Sequence, residues 1–496
     1  MGEYSIMTSE QRIKRSDMIR CALCGNAPCD KACPKDLHPA ELLRSIWFDD
    51  EDAAAARLPS ENFCHDCQAP CEKVCVRSGE VPIRQLVSRL ASDIKPDLTT
   101  TPPKDESALR TELCGVPLDN PFLLSSSVVA STYDMCARAF ESGWAGAAFK
   151  TISYVDIHEA SPRFSAIRGD SGSITGFKNI EQLSDHSVSE NMEFFRKLKK
   201  KYPSKVIIAS IMGQKEDEWE ALARICAENG ADVLELNFSC PNMAKGGLGS
   251  DIGQDPSLVE RFTAAARRGA KIPVLAKLTP NVAFMSPAAE AAKNGGADGF
   301  SAINTIKSIM GVDPYTYVSS PAVRGHSAVG GYSGNAVKPI ALRFVAELGK
   351  NPKLLGMHIS GMGGVETWKD ALEFMLLGAG SIQVTTAVMQ YGYRIIDDLK
   401  AGLNFYLKAT DTAHIGRLVG KGLAFIGNTT DFLERDIVAY PRFRRERCLG
   451  CGRCEISCAD GGHQAIRLDE NRRPILNPKK CVGCHLCVLV CPSEAI

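Results

Sequence analysis

The chain has 496 residues, of which 44% are hydrophobic and 23% are charged, and its 58 basic residues balance its 58 acidic ones. This composition predicts a globular protein with a sizeable core. The zero net charge argues against a nucleic-acid partner, and the lack of an apolar run of roughly 18 residues argues against a membrane span. The polar stretch Met1 to Asp17 has no apolar signal core, so we expect a cytoplasmic protein.

Residues 1–100 predict an α-helical N-terminal iron–sulfur domain. They hold two quartets of cysteines: Cys21, Cys24, Cys29 and Cys33, then Cys64, Cys67, Cys71 and Cys75. Helical patterns at 40–48 and 53–57 accompany them. Without an export signal, such quartets favour metal ligands over disulfides. Spacing leaves zinc as an alternative, but two [4Fe–4S] clusters suit a chain that carries electron-transfer motifs elsewhere. A linker rich in proline and threonine follows at 95–103.

Residues 108–435 alternate apolar strand patterns with amphipathic helical patterns such as 217–229 and 367–377. The predicted strands are 122–126, 146–151, 206–212, 233–239, 274–279, 299–305, 354–361 and 381–388. Continuous apolar runs are typical of parallel strands buried on both faces. Eight strand–helix units predict a closed (β/α)8 TIM barrel, and an open doubly wound sheet is the alternative.

Polar residues follow these strands at the end where a barrel carries its chemistry. Lys150 and Lys277 could hold the anionic edge of a flavin ring, and the glycine-rich turn 361–364 and the pair Thr385-Thr386 lie where barrels bind phosphate. These features predict FMN, which converts single electrons into a hydride. The chain has no Gly-x-Gly-x-x-Gly pattern, so electrons from NAD(P)H would enter through another subunit.

Cys240 follows the fourth predicted strand, on a loop over the predicted active face. A thiol there can exchange a proton while a flavin moves a hydride on the other face of a substrate. Cys136 and Cys226, on helical patterns, are predicted to be inert buried thiols. Amides and hydroxyls match a neutral ring that alternates N–H and C=O groups. Those of interest are Asn179, Asn237, Asn242, Asn304 and Thr305.

Residues 440–496 predict a ferredoxin-like domain with two [4Fe–4S] clusters. Its quartets are Cys448, Cys451, Cys454 and Cys458, then Cys481, Cys484, Cys487 and Cys491. In two-cluster ferredoxins the fourth cysteine of each motif ligates the other cluster. We therefore assign Cys491 to the cluster of the first motif and Cys458 to that of the second. Zinc motifs more often place two close pairs on separate hairpins.

With these motifs the chain resembles the dihydropyrimidine dehydrogenase family. From about residue 108 to the end it is similar to the FMN and iron–sulfur subunit of the bacterial two-subunit members. The segments that carry the resemblance, besides the last two quartets, are 176–181, 206–212, 236–241, 276–281, 331–334 and 338–342. Residues 15–92 resemble the helical iron–sulfur domain of the long single-chain form, whose FAD and NADPH domains have no counterpart between residues 95 and 108.

The resemblance implies a set of site residues. The FMN contacts would be Ser126, Lys150, Thr151, Lys277, Gly334, Gly363, Gly364, Thr385 and Thr386. The pyrimidine contacts would be Asn179, Asn237, Asn304 and Thr305, to which we add Ser239 and Asn242 beside Cys240, the implied proton donor. In the N-terminal segment, Cys75 would join Cys21, Cys24 and Cys29, and Cys33 would join Cys71 with one or both of Cys64 and Cys67. The glutamine ligand of the single-chain enzyme has no counterpart in register, although Gln85 is nearby.

The expected activity is reduction of the 5,6 double bond of uracil or thymine, with a hydride from FMN to C6 and a proton from Cys240 to C5. A separate FAD- and NAD(P)H-dependent flavoprotein or a ferredoxin would supply electrons, in a homodimer or hetero-oligomer. One alternative is a dihydroorotate dehydrogenase or a reductase of another N-heterocycle; the Glu181 carboxylate should repel that of orotate. Another is an electron-transfer subunit without a substrate, which the convergent lysines, asparagines and Cys240 disfavour.

Overall fold

The computed structural model describes residues 15–18, 20–58, 64–93, 106–169, 174–242, 249–427, 430 and 433–496. These form two compact units, Met1–Leu423 and Ala424–Ile496. The linker predicted at 95–103 lies outside the described residues. Within the described ranges, no helix is long and apolar enough to cross a bilayer.

The first unit contains a closed barrel of eight parallel strands, labelled β1 to β8. They are Phe122–Leu124, Gly146–Ala148, Val206–Ile211, Val233–Asn237, Val274–Lys277, Gly299–Ala302, His358–Met362 and Ser381–Val384. Each strand pairs with the next in parallel, and β8 pairs with β1. The predicted (β/α)8 barrel is confirmed, and the open sheet is wrong. The prediction began β7 too early, because 352–354 form a 3-10 turn, and ended β8 too late, because Thr386–Tyr391 is helical.

Helices cover the outside of the barrel. They are Tyr133–Glu141, Val188–Lys201, Glu216–Glu228, Pro256–Gly269, Ser286–Asn294, Lys338–Lys350, Trp368–Leu376 and Ile395–Ala409. Two of them start at capping boxes, in which Ser187 and Thr367 accept backbone N–H groups that the first turn would leave unpaired. The helices predicted at 217–229 and 367–377 are confirmed with slightly shifted bounds.

The structure also contains a four-stranded antiparallel sheet that the sequence did not predict. Two of its strands follow β2 in the chain, and the other two follow β6. Its strands are Phe164–Arg168, Ile174–Asn179, Ile306–Ser308 and Gly330–Ser333. Gly176 lies directly against Tyr332 of the neighbouring strand, where a Cβ atom would fall 1.8 Å from the phenolic oxygen. The sheet is therefore packed too closely at this point for any larger residue.

The N-terminal segment is built from short helices that share the core of the barrel. They are Pro28–Lys31, Pro39–Trp47, Glu51–Arg57, Pro70–Lys73 and Ile83–Asp93, and the helices predicted at 40–48 and 53–57 are among them. Leu42 and Trp47 belong to the same apolar cluster as the barrel core. The Phe48 ring meets Tyr391 edge-on at 5.1 Å, and Trp368 Nε1 donates to the carbonyl of Asp49 over 2.9 Å. The segment is thus packed onto the barrel helices.

The second unit is small and has its own core. It contains the helices Arg453–Gly461 and Leu486–Leu489 and the antiparallel pair Ile466–Leu468 and Pro474–Leu476. Cys454, Ile466 and Cys487 are buried together. This arrangement confirms the predicted C-terminal ferredoxin-like fold.

Candidate active site

A cavity of about 1120 Å³, including its open mouth, lies at the carboxyl ends of the barrel strands. All nine residues predicted to contact FMN line it: Ser126, Lys150, Thr151, Lys277, Gly334, Gly363, Gly364, Thr385 and Thr386. Cys240 lines it too, with Asn179, Asn237, Asn242, Asn304 and Thr305. The antiparallel sheet supplies one wall through Phe164, Phe177 and Tyr332. The structure therefore gathers residues that are far apart in the sequence into one site.

Lys277, at the end of β5, forms the floor of the cavity. Its Nζ lies 3.2 Å from Glu235 Oε1 and 3.5 Å from Ser125 Oγ. The exposed fraction is 3% for Lys277 and 0% for Glu235. A buried cation is held here with its counterion beside it, as burial of charge requires.

A second buried lysine, Lys150, lies after β2 within a group of alternating charges. Its Nζ is 2.8 Å from Glu159 Oε1 and 3.6 Å from Glu181 Oε1. Arg163 Nε lies 2.8 Å from the same Glu181 oxygen. Burial raises the pKa of Glu181, while the neighbouring Lys150 opposes that shift. The Glu181 carboxylate is thus compensated by two cations, which weakens the sequence argument that it would repel a carboxylated substrate.

The glycine-rich turn after β7 has the geometry of a phosphate cradle. Gly363 and Gly364 have φ angles of +122° and +81°, which residues with a Cβ atom rarely adopt. A Cβ atom on Gly364 would also fall 2.9 Å from the backbone N of Lys338. Thr385 and Thr386 lie at the start of the next helix, and their hydroxyls meet Ser127 and Ser333 at 3.2 and 3.0 Å. Bare backbone, hydroxyls and the two buried lysines fit an anionic cofactor such as FMN.

Cys240 is 6% exposed and follows β4. Burial raises the pKa of its thiol to about 11, and Lys277 and Lys150 partly oppose that shift. The thiol is therefore protonated at neutral pH and available as a proton donor.

The amides around Cys240 form a connected network. Asn242 Nδ2 donates to Asn179 Oδ1 at 3.1 Å and to the carbonyl of Glu181 at 2.6 Å, whereas its buried Oδ1 has no hydrogen-bond partner among the described residues. Asn237 Nδ2 donates to Thr151 Oγ1 at 2.8 Å. An unpaired buried acceptor at the cavity wall suits a substrate N–H group.

Ser239 differs from its predicted role, because it is fully buried behind the cavity and does not line it. Its hydroxyl donates to Asn237 Oδ1 at 3.0 Å and accepts from Asn304 Nδ2 at 2.7 Å. Ser239 lies just after the end of β4, and its hydroxyl braces the Asn237 and Asn304 amides from behind the cavity wall.

Three of the four thiol groups frame cavities of similar size. Their volumes are about 370, 350 and 410 Å³, including the open mouth of each. The framing residues are Cys448, Cys451, Cys454 and Cys491 in the first, Cys458, Cys481, Cys484 and Cys487 in the second, and Cys33, Cys64, Cys67 and Cys71 in the third. No group of three or more acidic, His or Cys side chains in the described part of the chain is arranged to hold a single metal ion. Four thiols around a cavity fit a cluster.

The remaining thiols are Cys21, Cys24, Cys29 and Cys75. Burial raises the pKa of Cys29 to about 12, with Cys21 and Cys75 close enough to add to the shift. Burial likewise raises the pKa of Cys21, which has Cys24 and Cys75 as neighbours. The structure thus brings Cys75 near Cys21 and Cys29, and it places Cys64, Cys67 and Cys71 around one cavity with Cys33.

Sequence reasoning missed several polar residues at this site. Glu159 holds Lys150, Glu235 holds Lys277, and Gln383 of β8 lines the cavity. Glu235 did leave a signal, since it is the one charged residue of β4, between two leucines, and buried carboxylates are rarely unpaired. Glu159 left no such signal in the sequence, because it lies on an irregular loop.

A closed barrel with this cavity, joined to a unit with two ferredoxin-type quartets, defines an oxidoreductase with flavin and iron–sulfur chemistry. The dihydroorotate dehydrogenase family model matches residues 108–407, and the 4Fe-4S dicluster domain model matches 442–496. The chain therefore belongs to the dihydroorotate dehydrogenase family, whose members are oxidoreductases acting on CH–CH groups.

Known relatives agree with this assignment. The chain is 50% identical over 389 residues to the NAD-dependent dihydropyrimidine dehydrogenase subunit PreA of Escherichia coli (strain K12), covering 78% of this chain and 94% of that protein. It is 35% identical over 369 residues to the chloroplastic dihydropyrimidine dehydrogenase (NADP(+)) of Arabidopsis thaliana, covering 72% and 84%. It is 36% identical over 315 residues to the catalytic subunit of dihydroorotate dehydrogenase B (NAD(+)) of Pyrococcus abyssi, covering 64% and 99%. The predicted resemblance to dihydropyrimidine dehydrogenases is confirmed.

Proposed function

We propose that this chain binds FMN and reduces the 5,6 double bond of uracil or thymine. The observation that carries the proposal is the convergence of a protonated buried thiol, four asparagine amides and a lysine floor in one cavity. The 50% identity to a dihydropyrimidine dehydrogenase subunit supports this substrate class. The residues proposed to hold FMN are the nine that line the cavity as described above.

In this proposal, bound FMN supplies the hydride that reaches C6 of the ring. The amides of Asn179, Asn237 and Asn304 orient the ring through its N–H and C=O groups. Cys240 donates its proton to C5, and the resulting thiolate is stabilised by the backbone N–H of Asn242 and by nearby Lys277. The ammonium groups of Lys277 and Lys150 would also offset the negative charge of the bound cofactor.

We further propose that electrons arrive through [4Fe–4S] clusters from a separate FAD- and NAD(P)H-binding subunit or a ferredoxin. The two C-terminal quartets provide two clusters, and the two N-terminal groups provide two more. Iron and sulfide analysis of protein purified without oxygen tests this proposal: iron from four clusters per chain is expected, and zinc in the N-terminal groups would contradict it. Sedimentation of the purified protein measures whether it is the expected homodimer or hetero-oligomer.

A dihydroorotate dehydrogenase is the second candidate function. The match of the family model favours it, as do the two cations beside Glu181, because they offset the negative charge that would repel a substrate carboxylate. An anaerobic assay with an artificial reductant should compare uracil, thymine and orotate. We expect turnover of the two uncharged bases to exceed that of orotate, and faster reduction of orotate would overturn the assignment to pyrimidine bases.

The role of Cys240 is tested by Cys240→Ala with Cys226→Ala as its matched control. Cys226 is also a fully buried thiol, but it lies on the helix Glu216–Glu228, away from the cavity. General acid catalysis is worth about 10² to 10⁴-fold, so Cys240→Ala should lose that much uracil turnover while it keeps flavin and iron. Equal turnover of the two variants would remove Cys240 from the mechanism.

A further inference from the structure

The interior of the barrel is polar where barrels usually pack branched aliphatic residues. Gln383 of β8 donates through Nε2 to Glu235 Oε2 at 3.1 Å, to Ser301 Oγ at 3.1 Å and to Ser360 Oγ at 3.2 Å. These four residues are at most 1% exposed. The network therefore fixes the Glu235 side chain from below.

The other oxygen of Glu235 faces the cavity floor. Oε1 lies 3.2 Å from Lys277 Nζ, and Gln383 holds the opposite oxygen, so the carboxylate is fixed from both sides. A buried ion pair of this kind is weak evidence for stability, because apolar residues of similar volume often stabilise a protein as well or better. A requirement of the site explains this arrangement better than a requirement of the fold.

We propose that Glu235 is a positioning residue that holds the Lys277 ammonium at the cavity floor and sets the electrostatic potential felt by the flavin. This inference rests on the proposed FMN site. In the native protein the carboxylate offsets part of the ammonium charge. The flavin therefore meets a fixed hydrogen-bond donor but a reduced positive field, which keeps its reduction potential lower than a bare lysine would.

In Glu235→Gln the amide carries no charge to offset the Lys277 ammonium. The ammonium then stabilises the negative charge of the reduced flavin more strongly, so the midpoint potential rises. Cys240, whose thiol feels the charges of Lys277 and Lys150, is the same in both proteins.

The test is an anaerobic redox titration of bound FMN at neutral pH, without substrate. For Glu235→Gln we expect a roughly tenfold shift of the equilibrium toward reduced flavin, equivalent to about 30 mV. Ser360→Ala is the matched control, since it removes a hydroxyl from the same network but no charge. It should keep the native potential.

Glu235→Asp provides a second variant if the glutamine variant does not fold. It keeps the negative charge but moves it away from Lys277 by the length of one methylene, so we expect a smaller positive shift of the potential. A native potential in the folded Glu235 variant would overturn the inference, as would an equal shift in Ser360→Ala. A protein that binds no flavin overturns the FMN proposal as well, whereas bound flavin with an unaltered potential overturns only the role of Glu235.

Discussion

His358 at the start of β7 should make the barrel sensitive to mild acid. Its Nε2 lies 3.0 Å from Ser381 Oγ, and burial lowers the pKa of the imidazole to about 4. The unfolded chain binds this proton near pH 6.5, so the folded state loses stability as the pH falls from 6.5 toward 4. At pH 5 the loss is about 1.36 × (6.5 − 5), or about 2 kcal/mol, and the partial exposure of the ring makes this an upper value.

Urea unfolding of the native protein and of His358→Gln at pH 7 and pH 5 measures this loss. Tryptophan fluorescence is a suitable signal, because all four tryptophans belong to the first unit. The glutamine variant cannot take up the proton. From pH 7 to pH 5, its free energy of unfolding should therefore decrease less than that of the native protein, by up to about 2 kcal/mol. An identical pH dependence in the two proteins would refute the reasoning.

Three further changes have expected outcomes. Gly364→Ala places a methyl group against the backbone beside a cavity wall, so bound FMN per chain should fall while iron is unchanged. Cys75→Ser should lose the iron of one cluster, measured by iron analysis and by the visible spectrum. Lys178→Met removes a fully buried ammonium that holds two backbone carbonyls of the segment 309–329, so limited proteolysis within that segment should be faster.

Each of these changes has a control. Gly356→Ala has a similar φ of +82° but no atom within 4 Å of the added methyl, so it should keep FMN; equal loss of FMN would attribute the effect of Gly364→Ala to backbone strain. Cys114 lies outside every quartet, so Cys114→Ser should keep all its iron. If Cys75→Ser also keeps all its iron, Cys75 is not a cluster ligand. Lys205→Met removes an ammonium elsewhere on the barrel, and an equal change in proteolysis would contradict the role of Lys178.

Much of the fold follows from local sequence patterns. The strand Val206–Ile211 is buried at every position, and its largely apolar run, broken only by Ser210, predicted a strand without any information from its neighbours. The cysteine quartets were readable for the same reason, because ligands of one cluster lie close together in the chain. The residues at the strand ends then predicted most of the cavity lining, because the parallel strands of a barrel all end at the same edge.

The features that were missed depend on contacts between distant segments. The antiparallel sheet pairs Phe177 with Ser333, and neither strand has a strong alternation of its own. Arg44 pairs with Asp398, 354 residues away, so no local pattern could show where the N-terminal segment packs. Ser239 was predicted to contact the substrate because it lies beside Cys240 in the sequence. Its position in the sequence does not show whether its side chain faces the cavity or lies behind the cavity wall.

The interior shared by the front segment and the barrel has a consequence for how the chain can be cut. Leu42 and Phe48 contribute to the same apolar cluster as Phe140 and Leu399 of the barrel helices. Arg394, from the barrel, donates to the carbonyls of Leu23 and Cys24. Removal of the front segment by proteolysis or truncation would expose an apolar surface on the remaining barrel helices, so this segment also shields the barrel from water.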